Sequence, residues 1–180
     1  MERVDSPLVE GTSSPTDLVR EAEQLVIAGE FNKALEMYQT ILSQLETLKS
    51  LPIPDIIRIK IDMGGIMTKL ALFSQAERTL KEVFQSSKII YDHELMLRSV
   101  NKMAELNIAR GNYEEAEKNL DTGKEWVTEE NKQSLAEYYD IRAELNLRRG
   151  FLDISLDYLN KSKDIKEKGN LSELEIAKSL

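Results

Sequence analysis

The chain lacks cysteine and has a single histidine among its 180 residues. Without cysteine it has no disulfides, thiolate zinc sites, iron–sulfur ligands or cysteine nucleophiles, and this composition fits a reducing compartment. Glycine and proline are scarce, at 8 and 4 residues, whereas charged residues make up 31%. Such a balance is typical of a helix-rich, soluble protein of one domain with enough length to bury a continuous core.

Long apolar runs and an excess of positive charge are also missing. Residues 1–17 lack the apolar core of about 7–15 residues that a secretion signal needs, and no segment approaches the ~18 apolar residues of a membrane span. We therefore expect a cytoplasmic protein with no membrane partner. The formal net charge of −8 argues against nucleic-acid binding, which needs lysine and arginine concentrated on one face.

Four short stretches of the chain repeat one pattern, and each is centred on what we call a turn residue. The turn residues are Gly29, Ala71, Gly111 and Gly150, separated by 42, 40 and 39 positions. An apolar residue follows each turn residue at two and nine positions, a small residue follows at five, and another small residue precedes it by seven. In that order, the positions hold Phe31, Phe73, Tyr113 and Leu152; Tyr38, Leu80, Leu120 and Leu159; Ala34, Ala76, Ala116 and Ser155; and Ala22, Gly64, Ala104 and Ala143.

This spacing predicts a helical hairpin around every turn residue. Apolar residues three and four positions apart lie on one helix face, and small residues at matching places let two helices approach closely. Glycine tolerates the positive φ that ends a first helix, so Ala71 predicts a different geometry for the second turn. Ser14 is placed to cap the first helix, while Ser74 and Asn112, each three positions before a glutamate, are in capping-box register for second helices.

The pattern resembles the tetratricopeptide repeat, in which a small residue is followed by glycine, an aromatic residue, alanine and a large apolar residue. The resemblance covers roughly residues 15–170, and its strength lies in fourfold repetition. The family unit has about 34 residues, and the spacing here is similar to the long-unit variants, of about 40 residues, found in bacterial signalling proteins and motor light chains. The resemblance implies an all-α, right-handed superhelix of four hairpins, over about 15–53, 54–92, 93–130 and 131–169.

Both ends of the chain fall outside these repeats. Residues 1–14, rich in serine, proline and acidic groups, are expected to form a flexible tail. Residues 171–180 look like the opening of a fifth first helix, which either covers the apolar face of the fourth repeat or marks the truncation of a longer protein. Because each end of a solenoid is apolar unless it is capped, homo-oligomerisation through a terminal repeat is a further prediction.

No group of residues has the pattern of a catalytic, metal or cofactor site, so we predict a protein without cofactors that is not an enzyme. His93 lacks the second histidine that a zinc-protease helix would place at position 97. Gly64 and Gly65 lack the spacing of a nucleotide-binding loop, and we attribute Gly64 to close helix packing and Gly65 to groove access. The methionines of the first helices are interpreted as core residues.

The inner wall of a repeat solenoid is lined by its first helices. By resemblance, the groove-facing positions of the family correspond to Val19, Glu23, Val26 and Ile27; Arg58, Ile61, Gly65, Thr68 and Lys69; Arg98, Asn101, Glu105 and Ile108; and Glu137, Asp140, Glu144, Leu147 and Arg148. The residues predicted to bind a partner are Arg58, Ile61, Gly65, Lys69, Arg98, Asn101, Glu105, Asp140, Glu144 and Arg148. The wall changes from apolar through basic to acidic, which suits an amphipathic partner segment; alternatively, these are ordinary solvated residues.

Three functions follow from this sequence, and they differ in class. The first is a non-catalytic interaction module or adaptor that binds a protein or peptide in its groove. The second is a sensor in a signalling or transcription regulator, in which a short peptide or small anion binds at Arg58, Lys69, Arg98 and Asn101. The third, a hydrolase using Asp140 and Glu144, is disfavoured because carboxylates four positions apart on a helix are typical of a solvated face.

Overall fold

The computed structural model describes residues 14–48, 51–128 and 131–168, which form helices joined by short turns and contain no strand within these ranges. The chain divides into two compact units with a boundary between Leu51 and Pro52. The tail predicted over residues 1–14, apart from Ser14, and the helix predicted over 171–180 lie outside the described residues.

Unit 1 holds one helical hairpin, built from α1 (Pro15–Ile27) and α2 (Phe31–Leu48). Ser14 caps α1, because its hydroxyl accepts a hydrogen bond from the Asp17 backbone N–H at 3.2 Å. The two small residues predicted at the helix contact, Ala22 and Ala34, are fully buried. The first hairpin and its cap are therefore confirmed.

Unit 2 holds three further hairpins: α3 (Ile53–Lys69) with α4 (Phe73–Ile89), α5 (His93–Ala109) with α6 (Tyr113–Gly123), and α7 (Lys132–Arg148) with α8 (Leu152–Lys168). A single 3₁₀ turn, Lys124–Trp126, follows α6. Each hairpin packs its two helices together, and α5 also contacts α3, α4 and α7. The all-α helical-repeat fold is thus confirmed, with consecutive helices packing in neighbouring pairs.

Each hairpin turn uses the same backbone geometry, including the one without glycine. Ala71 has a φ of 56°, in the left-handed region that Gly111 occupies at 78°. Leu72 N donates to Met67 O at 2.8 Å, the six-residue bond of the Schellman motif. The predicted difference in the second turn is therefore wrong, because the two hydrogen bonds that close the turn hold an alanine in a conformation unfavourable for residues with a Cβ.

The caps of the second helices differ from the prediction. Ser74 lies inside α4, and the side chain of Asn112, although at the N-cap of α6, makes no capping hydrogen bond. Side-chain caps in unit 2 are instead found on first helices, where Asp92 accepts from Leu95 N at 3.0 Å and Asn131 accepts from Ser134 N at 3.2 Å. Because the Schellman turns lead directly into the second helices, the backbone already fixes where these helices begin.

The core of unit 2 is formed by the repeated small and large positions. Ala76, Ala104 and Ala116 are fully buried, as are Leu80 and Leu120. Gly64 explains why a small residue is required in a first helix: a Cβ there would lie 2.5 Å from Leu80 Cδ2. The packing role predicted for these positions is confirmed from α3 to α7. It is wrong for the apolar positions of α8, where Leu152 and Leu159 are 64% and 41% exposed, because no helix follows α8 among the described residues to cover them.

The methionine prediction is also supported. Met63, Met67 and Met96 are buried, and Met103 packs against the main core cluster from a partly buried position. Trp126 joins the same cluster and has its ring centre 5.8 Å from that of Phe84 in α4. Its aromatic contact is therefore with the second repeat.

Candidate partner-binding surface

The first helices of unit 2 share one face of charged residues. Positions 13, 9, 6 and 2 before each turn residue follow the four- and three-residue spacing of a single helix face. On α3, α5 and α7 these positions hold ten residues that we call the first-helix face: Arg58, Asp62, Gly65 and Lys69; Arg98, Lys102 and Glu105; and Glu137, Glu144 and Arg148. Ala109 and the core residue Ile141 complete the pattern.

Ion pairs join the first-helix face from one helix to the next. Arg98 Nη2 on α5 lies 2.8 Å from Asp62 Oδ1 on α3. Lys102 Nζ lies 2.6 Å from Glu137 Oε1 on α7 and 3.0 Å from Glu105 Oε1 on its own helix. These five side chains retain between 17% and 31% of their exposure, so the pairs are partly desolvated and still accessible from one side.

The environment shifts the pKa values of the three central groups in different directions. Burial disfavours the charged Lys102, but the carboxylates of Glu105 and Glu137 outweigh burial and raise its pKa. Burial raises the pKa of Glu105, and the charge of Glu137 adds to this rise. For Glu137 burial is outweighed by Lys102, with help from Arg98 and Asn101, so its pKa is lowered. Glu137 is therefore the firmly ionised partner of Lys102.

Two predicted groove residues lie beneath the surface instead of on it. Ile61 and Asn101, each ten positions before a turn residue, are both 0% exposed. Asn101 Nδ2 donates to the Ser134 carbonyl oxygen of α7 at 3.3 Å. The prediction that these side chains line an open groove is therefore wrong, because this position faces the neighbouring helix. Thr68 and Ile108 are likewise buried.

Gly65 is buried as well, and its place on the first-helix face is taken by the side chain of a neighbour. A Cβ on Gly65 would lie 3.3 Å from Lys102 Cδ. The absence of a side chain at Gly65 therefore leaves room for the Lys102 side chain of α5.

The other predicted residues keep part of their side chains at the surface. Arg58 is 40% exposed and pairs with Asp55 on its own helix at 2.7 Å. Lys69 is exposed, and its charge acts on Glu105. Arg148 is 59% exposed and lies 3.3 Å from Glu144, which is 45% exposed. Leu147 is 53% exposed. With Arg58, Lys69, Glu144 and Arg148, it is a part of the predicted wall in unit 2 that a partner can reach without opening a buried contact.

The two carboxylates considered for hydrolysis have different ionic partners. Asp140 Oδ2 lies 2.7 Å from Lys166 Nζ on α8, whereas Glu144 pairs with Arg148. Their positions are those of structural and surface ion pairs.

Asp62 and Lys102 were not among the residues predicted to bind a partner, although both form ion pairs between neighbouring helices. Both lie nine positions before a turn residue and four after a charged residue, Arg58 or Arg98. A charged residue continuing the same face by one turn is a signal that could have identified them. Glu137 was placed on the wall but not among the binding residues.

In unit 1, the four predicted wall residues lie on α1. Glu23 and Ile27 are exposed, with Ile27 at 40%, and Val19 and Val26 are half-buried. The apolar surface in this part of the wall therefore comes mainly from Ile27 and from the exposed parts of Val19 and Val26.

A cleft lies between α7, α8 and the segment that precedes α7. This cleft has a volume of about 590 Å³. Leu135, Tyr139 and Ile165 contribute apolar lining, and Lys132 and Lys161 are at its edge. The remaining lining residues are Val127, Thr128, Asp164 and Lys168. It combines an apolar lining with an excess of positive charge.

Neither a metal site nor a membrane span is found in the part of the chain that the structure describes. Within residues 14–48, 51–128 and 131–168, no three acidic or histidine side chains are grouped as metal ligands. None of the described helices has the length and apolar composition needed to cross a bilayer. Comparison with protein-family models and with curated proteins finds no match to this sequence.

Proposed function

We propose that this protein is a non-catalytic interaction module whose first-helix face binds a segment of a protein partner. The observation that supports this most directly is the recurrence of charged, partly exposed side chains at the same positions of three consecutive first helices. A surface of this kind recognises a partner through several side chains, which a rigid helical scaffold holds at fixed spacing.

The charge of the first-helix face defines the kind of partner. Arg58 and Lys69 make α3 mainly basic, α5 carries both signs, and Glu137 and Glu144 make α7 mainly acidic. A complementary segment carries acidic groups where it meets α3 and basic groups where it meets α7. Since the central ion pairs already satisfy each other, the exposed charges at the edges contribute most to recognition and to the rate of association.

We further propose the family, role and location that the sequence predicts. The chain acts as a tetratricopeptide-like adaptor or scaffold in the cytoplasm, either alone or as part of a signalling regulator. The helical-repeat fold and the fourfold pattern around the turn residues support this assignment.

A charge-swap experiment tests the surface without removing an ion pair. In the variant Glu144→Arg/Arg148→Glu, net charge and the i,i+4 pair are preserved while the pattern seen by a partner is reversed. The matched control is Glu115→Lys/Lys118→Glu on α6, a similarly exposed pair on a second helix. We expect affinity capture followed by mass spectrometry to recover the same partner with the native chain and the control, but not with the α7 variant. Loss of the partner with the α6 control alone would contradict the proposal.

The cleft between α7 and α8 supports a second candidate function, the binding of a small anionic ligand by a sensor. Its lysines and apolar lining fit an anion with an apolar body. Trp126, the only tryptophan of the chain, precedes the lining residue Val127 and therefore reports on this region. Titration with phenylacetate should change Trp126 fluorescence and Lys161→Glu should abolish the change, whereas an equal response to inorganic phosphate would indicate charge attraction without a pocket.

A further inference from the structure

Trp126 and Ile165 hold the same position of two consecutive repeats, fifteen after the turn residue, where the earlier repeats have the polar residues Gln44 and Ser86. The backbone differs at the two sites, since Trp126 belongs to the 3₁₀ turn after α6 and Ile165 lies within α8. Each side chain nevertheless lies beside the first helix of its own hairpin. The 3₁₀ turn contacts α5, and Ile165 lines the cleft beside α7.

In the third repeat the indole ring of Trp126 occupies this place. It packs against the core cluster that contains Val100 of α5. Its ring centre lies 5.8 Å from that of Phe84 in α4, which belongs to the preceding repeat. A pair of aromatic rings therefore fills the space between α5 and the preceding repeat.

In the fourth repeat the corresponding place is the cleft between α7 and α8, which we call the α7–α8 cleft. Tyr139 holds the position of Val100, eleven before the turn residue, and lines the cleft together with Ile165. The counterpart of Phe84, thirteen after the turn residue, is the exposed Lys124. With an isoleucine and a lysine at the positions of the tryptophan and the phenylalanine, a volume of about 590 Å³ stays open among the described residues.

The lining of the α7–α8 cleft suits a flat aromatic ring. Leu135 and Ile165 provide aliphatic surface. Tyr139 stacks on Tyr158, with ring centres 6.0 Å apart and 24° between the planes, and it meets Tyr138 edge-on at 5.6 Å. Because Tyr139 is only half-buried by these neighbours and lines the cleft, a planar ligand can add a further aromatic contact to the cluster.

The charged residues of the α7–α8 cleft favour an anionic group at its edge. They are three lysines and one aspartate: Lys132, Lys161, Lys168 and Asp164. Lys132 Nζ donates to the Lys168 carbonyl oxygen at 3.3 Å, and Lys161 Nζ lies 5.0 Å from the ring centre of Tyr158. All four residues are exposed, so the apolar floor remains for a ring while a carboxylate meets the excess of ammonium groups.

We propose that the α7–α8 cleft binds a small fused-ring aromatic carboxylate, whose ring takes the place that Trp126 fills in the third repeat. The ring lies on Leu135, Tyr139 and Ile165, and the carboxylate meets the lysines at the edge. The volume of about 590 Å³ is in the range of about 300–1,000 Å³ that small-molecule sites have. This inference rests on the second candidate function, whose ligand class it specifies, and it is independent of the first-helix face.

Isothermal titration calorimetry of the full chain tests the ring and the charge separately. Indole-3-acetate should have a dissociation constant about five- to tenfold lower than that of phenylacetate, because its second ring buries more apolar surface. Indole-3-acetamide, a neutral analogue of the same shape, should bind about fivefold more weakly than indole-3-acetate.

Three variants locate the ligand. Ile165→Trp should abolish binding by filling the cleft, as Trp126 fills its counterpart. Ile154→Trp is the matched control, since Ile154 is an exposed apolar residue of α8 outside the cleft. Lys161→Glu, which changes an exposed side chain, should weaken the binding of indole-3-acetate and leave that of indole-3-acetamide unchanged.

The contrary results separate this inference from the function on which it rests. Phenylacetate binding as tightly as indole-3-acetate, with both sensitive to Lys161→Glu, would overturn the inference and leave the second candidate function in place. Binding of indole-3-acetate to Ile165→Trp, shown to be folded by far-UV circular dichroism, would overturn it because the ligand would lie elsewhere. Should Ile165→Trp not fold, equal binding of indole-3-acetate to Lys161→Glu and to the native chain overturns it. Absence of binding for all three compounds would contradict the inference and the second candidate function together.

Discussion

Replacement of Gly64 by alanine should destabilise the protein, whereas the same change at the adjacent Gly65 should not. Both glycines lie within α3, where alanine is intrinsically favoured over glycine by about 1 kcal/mol. They differ in what the added methyl group meets. At Gly64 the new Cβ would lie 2.5 Å from Leu80 Cδ2 and 2.7 Å from Leu80 Cγ; at Gly65 it would meet Lys102 Cδ at 3.3 Å.

The magnitudes follow from these distances. Carbon atoms pack at about 3.5–4.0 Å, so Leu80 would have to move by about 1 Å within a core where it is fully buried. Overpacking of this kind costs about 1–3 kcal/mol, which leaves a net loss of up to about 2 kcal/mol after the helix preference is subtracted. The Lys102 side chain is flexible and reaches the surface, so Gly65→Ala should change stability by between zero and about 1 kcal/mol in the favourable direction.

Urea denaturation followed by far-UV circular dichroism measures this difference. We expect Gly64→Ala to unfold at lower urea and Gly65→Ala at the same or higher urea than the native chain. In a thermal scan, the two variants should differ by several degrees, since about 1 kcal/mol shifts the melting temperature by about 2–4 °C in a chain of this size. If Gly64→Ala is as stable as Gly65→Ala, the close approach of α3 and α4 is wrong.

Four further substitutions test individual features of the fold. Glu137→Gln should lower the free energy of unfolding by about 2 kcal/mol because Lys102 loses its ionised partner. Glu105→Gln should lower it by less than about 1 kcal/mol, since burial already disfavours that carboxylate. Urea denaturation curves of the two variants measure the difference. As the pKa of Glu137 is lowered on folding, its contribution is present above the ordinary glutamate pKa of about 4.3 and is lost as pH falls below it, so Glu137→Gln should flatten the acid limb of stability against pH. Ala71→Gly should raise the free energy of unfolding by about 1 kcal/mol, because Ala71 has a φ of 56°; an unchanged urea midpoint would refute the left-handed turn. Asp92→Ala should lower the free energy of unfolding by about 1 kcal/mol because α5 loses its N-cap, and Asp92→Asn is the conservative control.

The hairpins could be predicted from sequence because they depend on local spacing. The small residues at matching positions, such as Ala76 and Ala104, are where two helices come closest, and their burial was expected from the pattern alone. The same reasoning located the turns, since each follows a helix at a fixed distance. The left-handed conformation of Ala71 was not predicted. Two turn hydrogen bonds outweigh the cost of this conformation, and residue spacing does not reveal such bonds.

The binding surface was less predictable, because adjacent residues of one helix can differ completely in burial. Asn101 and Lys102 are adjacent in sequence, yet Asn101 is fully buried against α7 while Lys102 joins the ion pairs at the surface. A rotation of about 100° per residue separates them, and the crossing angle of the packed helices decides which one is covered. That angle depends on long-range packing, which a single sequence does not specify.

The most direct test of the proposed function is carboxyl footprinting of the protein with and without its captured partner. Carbodiimide labelling compares Glu144, on the first-helix face, with Glu115, on α6; their side chains are 45% and 56% exposed. If the first-helix face binds the partner, labelling of Glu144 falls in the complex while labelling of Glu115 is unchanged. Protection of Glu115 with Glu144 still reactive would place the partner on the second helices and contradict the proposal.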